Sequence, residues 1–248
     1  MQNFSLHNHS MFSDGRNSVL DIAKFAVDIG LDAVGISDHF YSIENNLASY
    51  VENIKKVQHN VGIKVLIGAE VDLPDDGDMS KLMHIKKQYG FDFFIGALHG
   101  IRSENLYVGN QNNYTQSLEF HKRYWKLVPQ LASDVFDIIA HIDIVRLSGA
   151  NYEIELQEYI ERALDCFKAN KQIIEINTKY PIGYCPSDYI LEKIMKRGMP
   201  VVLSSDSHLK TDVTRGFDLA YEKIKTKFDR LKFIQNSGTI IKYLSNKK

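Results

Sequence analysis

Strand-like apolar runs alternate with helix-like segments along this chain, and nearly every run ends beside a histidine or an acid. The runs end near His7, Ser37, Glu70, Leu98, His141, Ile176 and Ser204. Between Ser18 and Gly30, apolar Val19, Ile22, Ala23, Ala26 and Val27 recur at helical spacing, and Gly30 supplies the stop. Asn45 to Asn60, Ser80 to Tyr89, Tyr114 to Leu131, Glu153 to Asn170 and Asp188 to Arg197 read the same way. Asp218 to Lys225 and Asp229 to Asn236 add helical segments near the C-terminus, and Thr239 to Leu244 reads as a short extended tail. Strands separated by helices must pair in parallel through right-handed crossovers, which points to a barrel-like or doubly wound α/β sheet. The chain has 248 residues with no linker-like stretch and no repeat, so 1–248 is expected to be one domain.

Composition narrows the function classes. A formal net charge of −1 gives no basic field for nucleic acid or anionic membranes. No apolar run is long enough to span a bilayer, and the N-terminus enters Phe4-Ser5-Leu6-His7 with no leader pattern. Cys166 and Cys185 form neither a metal-binding pair nor a disulfide framework, which suits a reducing, cytoplasmic location.

In a parallel sheet the C-terminal strand ends gather at one face, where sites are built. His7-Asn8-His9, Asp38-His39, Glu70, His99, His141 and Asp206-Ser207-His208 all follow apolar runs. Imidazoles and carboxylates gathered at that face describe a site for several divalent metals. Residues i and i+2 of a strand share a side, so His7 and His9 can meet one ion. Glu70 is costly to bury unpaired, and a carboxylate can bridge two metals. Each signal alone also fits a hydrogen-bonded core histidine or a salt bridge; their recurrence at successive strand ends does not. Asp38 is a candidate for orienting a ligand. His59, His84 and His121 lie within helical patterns and read as surface or boundary residues, and Asp21, Asp28 and Asp32 as solvated charges. The irregular stretch Gly100 to Asn113, directly after His99, is a candidate rim or lid.

In order along the chain stand His7-Asn8-His9-Ser10, Ser13-Asp14-Gly15, Ser37-Asp38-His39, Gly68-Ala69-Glu70, His99, His141-Ile142-Asp143 and Ser205-Asp206-Ser207-His208. This set resembles the polymerase-and-histidinol-phosphatase (PHP) superfamily, most closely its histidinol phosphatase branch, from His7 to about Phe217. The resemblance implies a distorted seven-stranded (β/α)7 barrel, TIM-barrel-like, with three divalent metals: zinc, manganese or iron. It implies one metal held by His7, His9, Glu70 and Asp206. Glu70 would bridge to a second held also by His99 and His141, and Asp14, His39 and His208 would hold the third. The branch rests on Glu175-Ile176-Asn177-Thr178 and on His141-Ile142-Asp143-Ile144-Val145-Arg146. The chain departs from the pattern after Thr178, where Lys179 stands in a loop that often carries a further basic residue. A lysine lacks the planar fork of arginine.

The reaction expected from this resemblance is hydrolysis of a small-molecule phosphate monoester, L-histidinol phosphate first, by a hydroxide bridging two metals. Arg146 is expected to bind phosphate, with Arg16, Arg102 and Lys179 as further candidates. Glu175 is expected either to face a substrate amine or to make a structural hydrogen bond at its strand end, and Asp206 or a metal-bound water to protonate the leaving oxygen. The alternatives are a nucleotide-like phosphodiesterase of the same superfamily and a non-catalytic, metal-stabilised domain. The sequence leaves the oligomeric state open.

Overall fold

The computed structural model describes residues 2–74, 78–101, 104–108, 114–179 and 184–246. The strands are β1 (Phe4–Ser5), β2 (Ala33–Ile36), β3 (Lys64–Asp72), β4 (Phe93–Ala97), β5 (Gly100–Ile101), β6 (Leu106–Tyr107), β7 (Ile138–Ile139), β8 (Ile173–Asn177), β9 (Pro200–Ser204) and β10 (Lys232–Phe233). The helices are α1 (Val19–Asp28), α2 (Phe40–Ile43), α3 (Leu47–Asn60), α4 (Ser80–Tyr89), α5 (Leu118–Leu127), α6 (Gln157–Ala169), α7 (Asp188–Arg197), α8 (Phe217–Lys227) and α9 (Ser237–Ser245). One sheet runs β1-β2-β3-β4-β7-β8-β9-β10, with every pairing parallel. This is the α/β, TIM-barrel-like architecture, curled and distorted.

The sheet has eight strands among the described residues, not seven. The addition is β10, inside the stretch Asp229 to Asn236 that reads as helix in the sequence. Its backbone continues the ladder beside β9, with Lys232 opposite Pro200. The expected extended tail Thr239 to Leu244 is likewise corrected to part of α9. Its Thr-Ile-Ile run is β-prone, but the Asn236 side chain caps the helix at Thr239 N–H, and Ile240 and Leu244, four apart, are buried on one face.

The ends of the sheet meet. Asn8 forms a parallel bridge to Ser207, with His9 N–H donating to Ser207 O at 2.8 Å. Nearer the bottom, the Gln2 side chain substitutes for a strand. Its Nε2 donates to Leu203 O at 2.8 Å and its Oε1 accepts from Leu203 N–H at 2.9 Å.

Strand periodicity separates two cores. Phe4, Ala33, Leu66, Phe93, Ile95, Ile138, Ile173 and Val202 form the inner cluster, closed below by Ile234, Ile240 and Leu244. Their neighbours Val34, Ile67, Phe94, Ile139, Ile174, Val201 and Leu203 face the helices in the larger cluster. At Gly68 a side chain is impossible, because a Cβ would lie 2.3 Å from the Phe93 ring that fills the interior. Continuing the same period upward from Leu66, Ile95, Ile173 and Val202 brings Glu70, His99, Glu175 and Asp206 to the inner side at the C-terminal face.

The stretch Gly100 to Asn113 is not wholly irregular: β5 and β6 pair antiparallel, Gly100 opposite Tyr107. Residues 102–103 and 109–113 lie outside the described residues.

Candidate metal centre

The donors arrive one strand end at a time. His7 and His9 follow β1, and His39 follows β2. Glu70 lies near the end of β3, His99 follows β4, His141 follows β7, and Asp206 and His208 follow β9. Asp14 comes from the turn after His9. Asp38 anchors that turn, accepting from Ser10 N–H at 2.7 Å and from the Ser13 hydroxyl at 2.6 Å. Asp38 thus fixes the turn that carries a donor instead of holding an imidazole. Gly15 closes the turn where a Cβ would lie 2.1 Å from His9 O. His141 and Asp206 adopt φ of 23° and 47°, left-handed values that cost a non-glycine residue about 1–3 kcal/mol. Such strain is retained where surrounding structure over-determines it, and here it turns two donors back toward their neighbours.

All nine expected donors come together in three groups, each with its donor atoms within 4.8 Å of one another. The groups are His7, His9 and Asp206; Glu70, His99 and His141; and His9, Asp14, His39 and His208. Glu70 joins them. Its Oε2 is 3.4 Å from His7 Nε2, 3.5 Å from His9 Nε2 and 3.0 Å from His39 Nδ1. Its Oε1 is 3.1 Å from His141 Nε2 and 3.5 Å from His99 Nε2. Asp206 Oδ1 is 3.2 Å from His9 Nε2, and Asp14 Oδ2 is 3.0 Å from His208 Nε2 and 3.6 Å from His39 Nε2. Asp14, His39, Glu70, His99, Asp206 and His208 open on a cavity of about 500 Å³ whose wall also includes Tyr41, Asp72, Tyr107 and Lys179.

Two nitrogens test whether metals fit. His7 Nε2 and His9 Nε2 are buried and make no hydrogen bond. A buried polar atom left this way is costly unless something binds it. With imidazole nitrogens and carboxylate oxygens converging from several strands, divalent cations fit this donor set.

Electrostatics agree. Burial alone would lift Glu70, but the charges of His7 and His99 and hydrogen bonds from His141 and His39 hold it well below the usual carboxylate range. Asp206 is likewise held low against its burial by His7, His9 and Lys179. Burial opposes protonation of His7, yet Glu175, Glu70 and Asp206 raise it well above an ordinary imidazole. His39 is raised to about 10 against its burial by Asp14 and Glu70. His9 goes the other way: burial lowers it, despite Asp206 and Glu70. Protons on several histidines thus balance the acids, and cations would replace those protons.

Behind the donors stand residues that orient them. Glu175 is fully buried and accepts four hydrogen bonds: His7 Nδ1 at 2.9 Å, Asn177 Nδ2 at 2.9 Å, the Ser204 hydroxyl, and His141 N–H at 3.2 Å. Of its two expected roles, a contact to a substrate amine and a structural hydrogen bond, the described contacts are those of the second, since both oxygens accept from the protein. Asp72, which the sequence reading missed, accepts from His99 Nδ1 at 2.7 Å. Its position two residues after Glu70 on one strand was the available signal. Tyr41 was missed as well; its ring stacks on His39 at 5.0 Å and 19°.

Among the expected phosphate contacts, Lys179 reaches the cavity, with Nζ 3.1 Å from Asp206 Oδ1 and 3.4 Å from His208 Nδ1. Arg146 is not among the described residues of the cavity wall. Its Nε donates to Asp143 at 2.6 Å and its Nη2 to Tyr184 O at 2.9 Å, so the guanidinium ties two segments together. Arg16 is exposed and not on that wall; its backbone N–H donates to His208 O at 2.9 Å. Arg102 lies outside the described residues. His121 is corrected from boundary to core: it is buried against Ser148, Nε2 to Oγ 2.8 Å, and burial lowers it to about 4. No described helix is long and apolar enough to cross a membrane.

Residues 5–179 match the family model of the PHP domain. A probable histidinol-phosphatase of Clostridium acetobutylicum is 26% identical over 86% of this chain and 89% of its own length. The DNA polymerase/3'-5' exonuclease PolX of Bacillus subtilis is 25% identical over 84% of this chain but only 36% of its own length. The crystal structure of histidinol phosphate phosphatase from Lactococcus lactis subsp. lactis, complexed with zinc, L-histidinol and phosphate, superposes with a TM-score of 0.71. It is 19% identical and covers 94% of this chain and 95% of that one.

Proposed function

Because the chain belongs to the PHP domain family, we propose that it is a metal-dependent phosphomonoesterase whose leading substrate is L-histidinol phosphate. The carrying observation is Glu70, whose two oxygens face five imidazoles drawn from four strand ends. We assign three divalent ions, zinc, manganese or iron. His7, His9, Glu70 and Asp206 would hold one; Glu70, His99 and His141 the second; Asp14, His39 and His208 the third. Residues 1–248 act as one catalytic unit in this reading.

Bound there, such ions would lower the pKa of a ligated water and offset charge on phosphoryl oxygens. The chain supplies the rest. Glu175 and Asp72 fix His7 and His99 through Nδ1, leaving each Nε2 toward Glu70. Lys179 holds a phosphoryl oxygen as a point charge, the task first expected of Arg146. Asp206 or a water held at the site would protonate the leaving alkoxide, and the depressed proton affinity of the carboxylate favours the water. The names of the Clostridium relative and the Lactococcus neighbour support the substrate. The PolX likeness supports a second reading, a nucleotide-like phosphodiester.

The test is phosphate release from L-histidinol phosphate, beside bis(p-nitrophenyl) phosphate, by protein purified with manganese or zinc. Activity on the monoester, lost in Asp206→Asn, is expected. Activity on the diester alone favours the second reading. No release from either, with metals confirmed bound, rejects both.

A further inference from the structure

The lysine on the cavity wall is held at both its ends. Lys179 follows β8 by two residues, and its long side chain has many rotamers to lose when it is ordered. Its backbone N–H donates to Asn177 Oδ1 at 2.9 Å, which fixes the turn out of the strand. Its carbonyl accepts from Arg215 Nη2 at 2.9 Å, and its ammonium donates to Asp206 Oδ1 at 3.1 Å. Arg215 and Asp206 both belong to the connection from β9 to α8, residues 205–216. One connection therefore grips Lys179 at the backbone and at the charged tip.

The connection is itself braced. Ser205 Oγ donates to Val213 O at 2.9 Å, and Val213 is buried. Thr178 Oγ1 donates to Arg215 O at 2.5 Å, so the strand end and the arginine bond reciprocally, hydroxyl to carbonyl one way and guanidinium to carbonyl the other. Gly216 turns at φ 78°, and a Cβ there would lie 3.1 Å from Thr178 Cβ, so the two segments pass in close contact. The guanidinium fork is divided between two acceptors. Nη1 donates to Asp212 Oδ2 at 3.0 Å while Nη2 reaches Lys179 O. Asp212 thus aims the arginine, and the planar fork delivers both bonds in one geometry. Arg215 is not on the described wall of the donor cavity, so its route to an anion there runs through Lys179.

We propose that Arg215 is a positioning residue, which through the Lys179 carbonyl holds the lysine ammonium in the pose that receives a phosphoryl oxygen. The inference deepens the phosphomonoesterase reading and rests on Lys179 as its phosphate contact. Without the guanidinium, Lys179 keeps its bond to Asn177 but loses the restraint on its carbonyl. The ammonium must then be ordered at the moment the anion binds, and that cost falls on binding. An ester and inorganic phosphate should both bind more weakly, with the chemical step unchanged.

The test uses full-length, metal-loaded protein carrying Arg215→Ala, Lys179→Ala or both; neither residue belongs to the donor groups. Unchanged metal content and thermal midpoint establish that the variants fold. Should Arg215→Ala lower the midpoint, Asp212→Asn, which keeps the arginine and removes the charge that aims it, takes its place with a milder effect. In Arg215→Ala, KM for p-nitrophenyl phosphate and the Kd of titrated inorganic phosphate should each rise about fivefold. That is the size of one net hydrogen bond, and kcat should stay within about twofold. With Lys179 already replaced by Ala, the same change should add less than about twofold, because its route to the anion is gone. An equal loss in both backgrounds overturns the proposal, since the arginine would then act by its own charge or through the fold at large. Unchanged KM and Kd in Arg215→Ala, a loss confined to kcat, or no loss from Lys179→Ala also overturns it. So does the absence of saturable phosphate binding by wild type. Should wild type bind phosphate yet hydrolyse no monoester, the hydrolase reading fails alone, and the titrations still decide the role of Arg215.

Discussion

Replacing Glu175 by Gln isolates how one buried carboxylate holds two metal donors. Its Oε1 accepts from His7 Nδ1, Asn177 Nδ2 and Ser204 Oγ, and its Oε2 from His141 N–H. Gln has nearly the same shape but carries one acceptor and one donor. With its carbonyl oxygen at the Oε1 position, its NH2 opposes the His141 N–H. With the amide reversed, the NH2 opposes three donors. The first arrangement is the better one, and it still leaves a buried donor facing a donor, at about 1–3 kcal/mol of stability. It also removes the charge that steadies a proton on His7 Nδ1 and leaves Nε2 for a metal. Loss of such support weakens metal binding by roughly 10–100-fold, equivalent to about 1.4–2.7 kcal/mol. Chelator competition would read the metal affinity, thermal unfolding the stability, and steady-state kinetics kcat and KM. A folded variant with wild-type metal affinity and unaltered kcat would refute the orienting role. Wild-type metal affinity with weakened L-histidinol binding would instead restore Glu175 as a substrate contact.

Three further outcomes are expected. Lys179→Ala should raise KM for phosphate monoesters about tenfold or more, with metal content unchanged in elemental analysis, since the residue acts as a charge on the cavity wall. Asp137→Ala should cost about 3–5 kcal/mol in urea unfolding, because it strands the buried Lys86 ammonium now 2.5 Å from the carboxylate and frees the Phe94 N–H. In metal-free protein, His39 is raised from 6.5 to about 10, so its protonation stabilises the fold fully below about pH 6.5. That contribution is lost as pH climbs through about 10. Metals must displace such protons, so the metal-induced rise in Tm should grow across the same window and binding should release protons. A pH-independent rise, with no proton release in buffers of differing ionisation enthalpy, would contradict this.

The strands that carry the donors were legible because their signal is local. The near-continuous burial of Lys64–Asp72 and Pro200–Ser204 matches the unbroken apolar runs that a parallel strand covered on both faces requires. The helices of the middle of the chain were legible for the same reason, Ser80–Tyr89 and Asp188–Arg197 at their observed bounds. The C-terminal stretch was not. Lys232–Phe233 is strand only because the β9 edge is there to pair with, and Ser237–Ser245 is helix because the inner core accepts Ile240 and Leu244. Propensity carried neither fact. The contacts of Arg146 were not legible on similar grounds: its partner Tyr184 O is 38 residues away in sequence.

Read by itself, the chain determined which residue types stand at the strand ends, and hence that imidazoles and acids collect on one face of a parallel sheet. That much follows from apolar runs that alternate with helices and from crossovers with one hand. Only the tertiary structure decided which oxygen of Glu70 meets which ring, that Glu175 and Asp72 turn Nε2 inward, and that Tyr41 stacks on His39. Those are distances between groups far apart in the chain, fixed by packing and burial of the whole molecule and written in no local stretch of it.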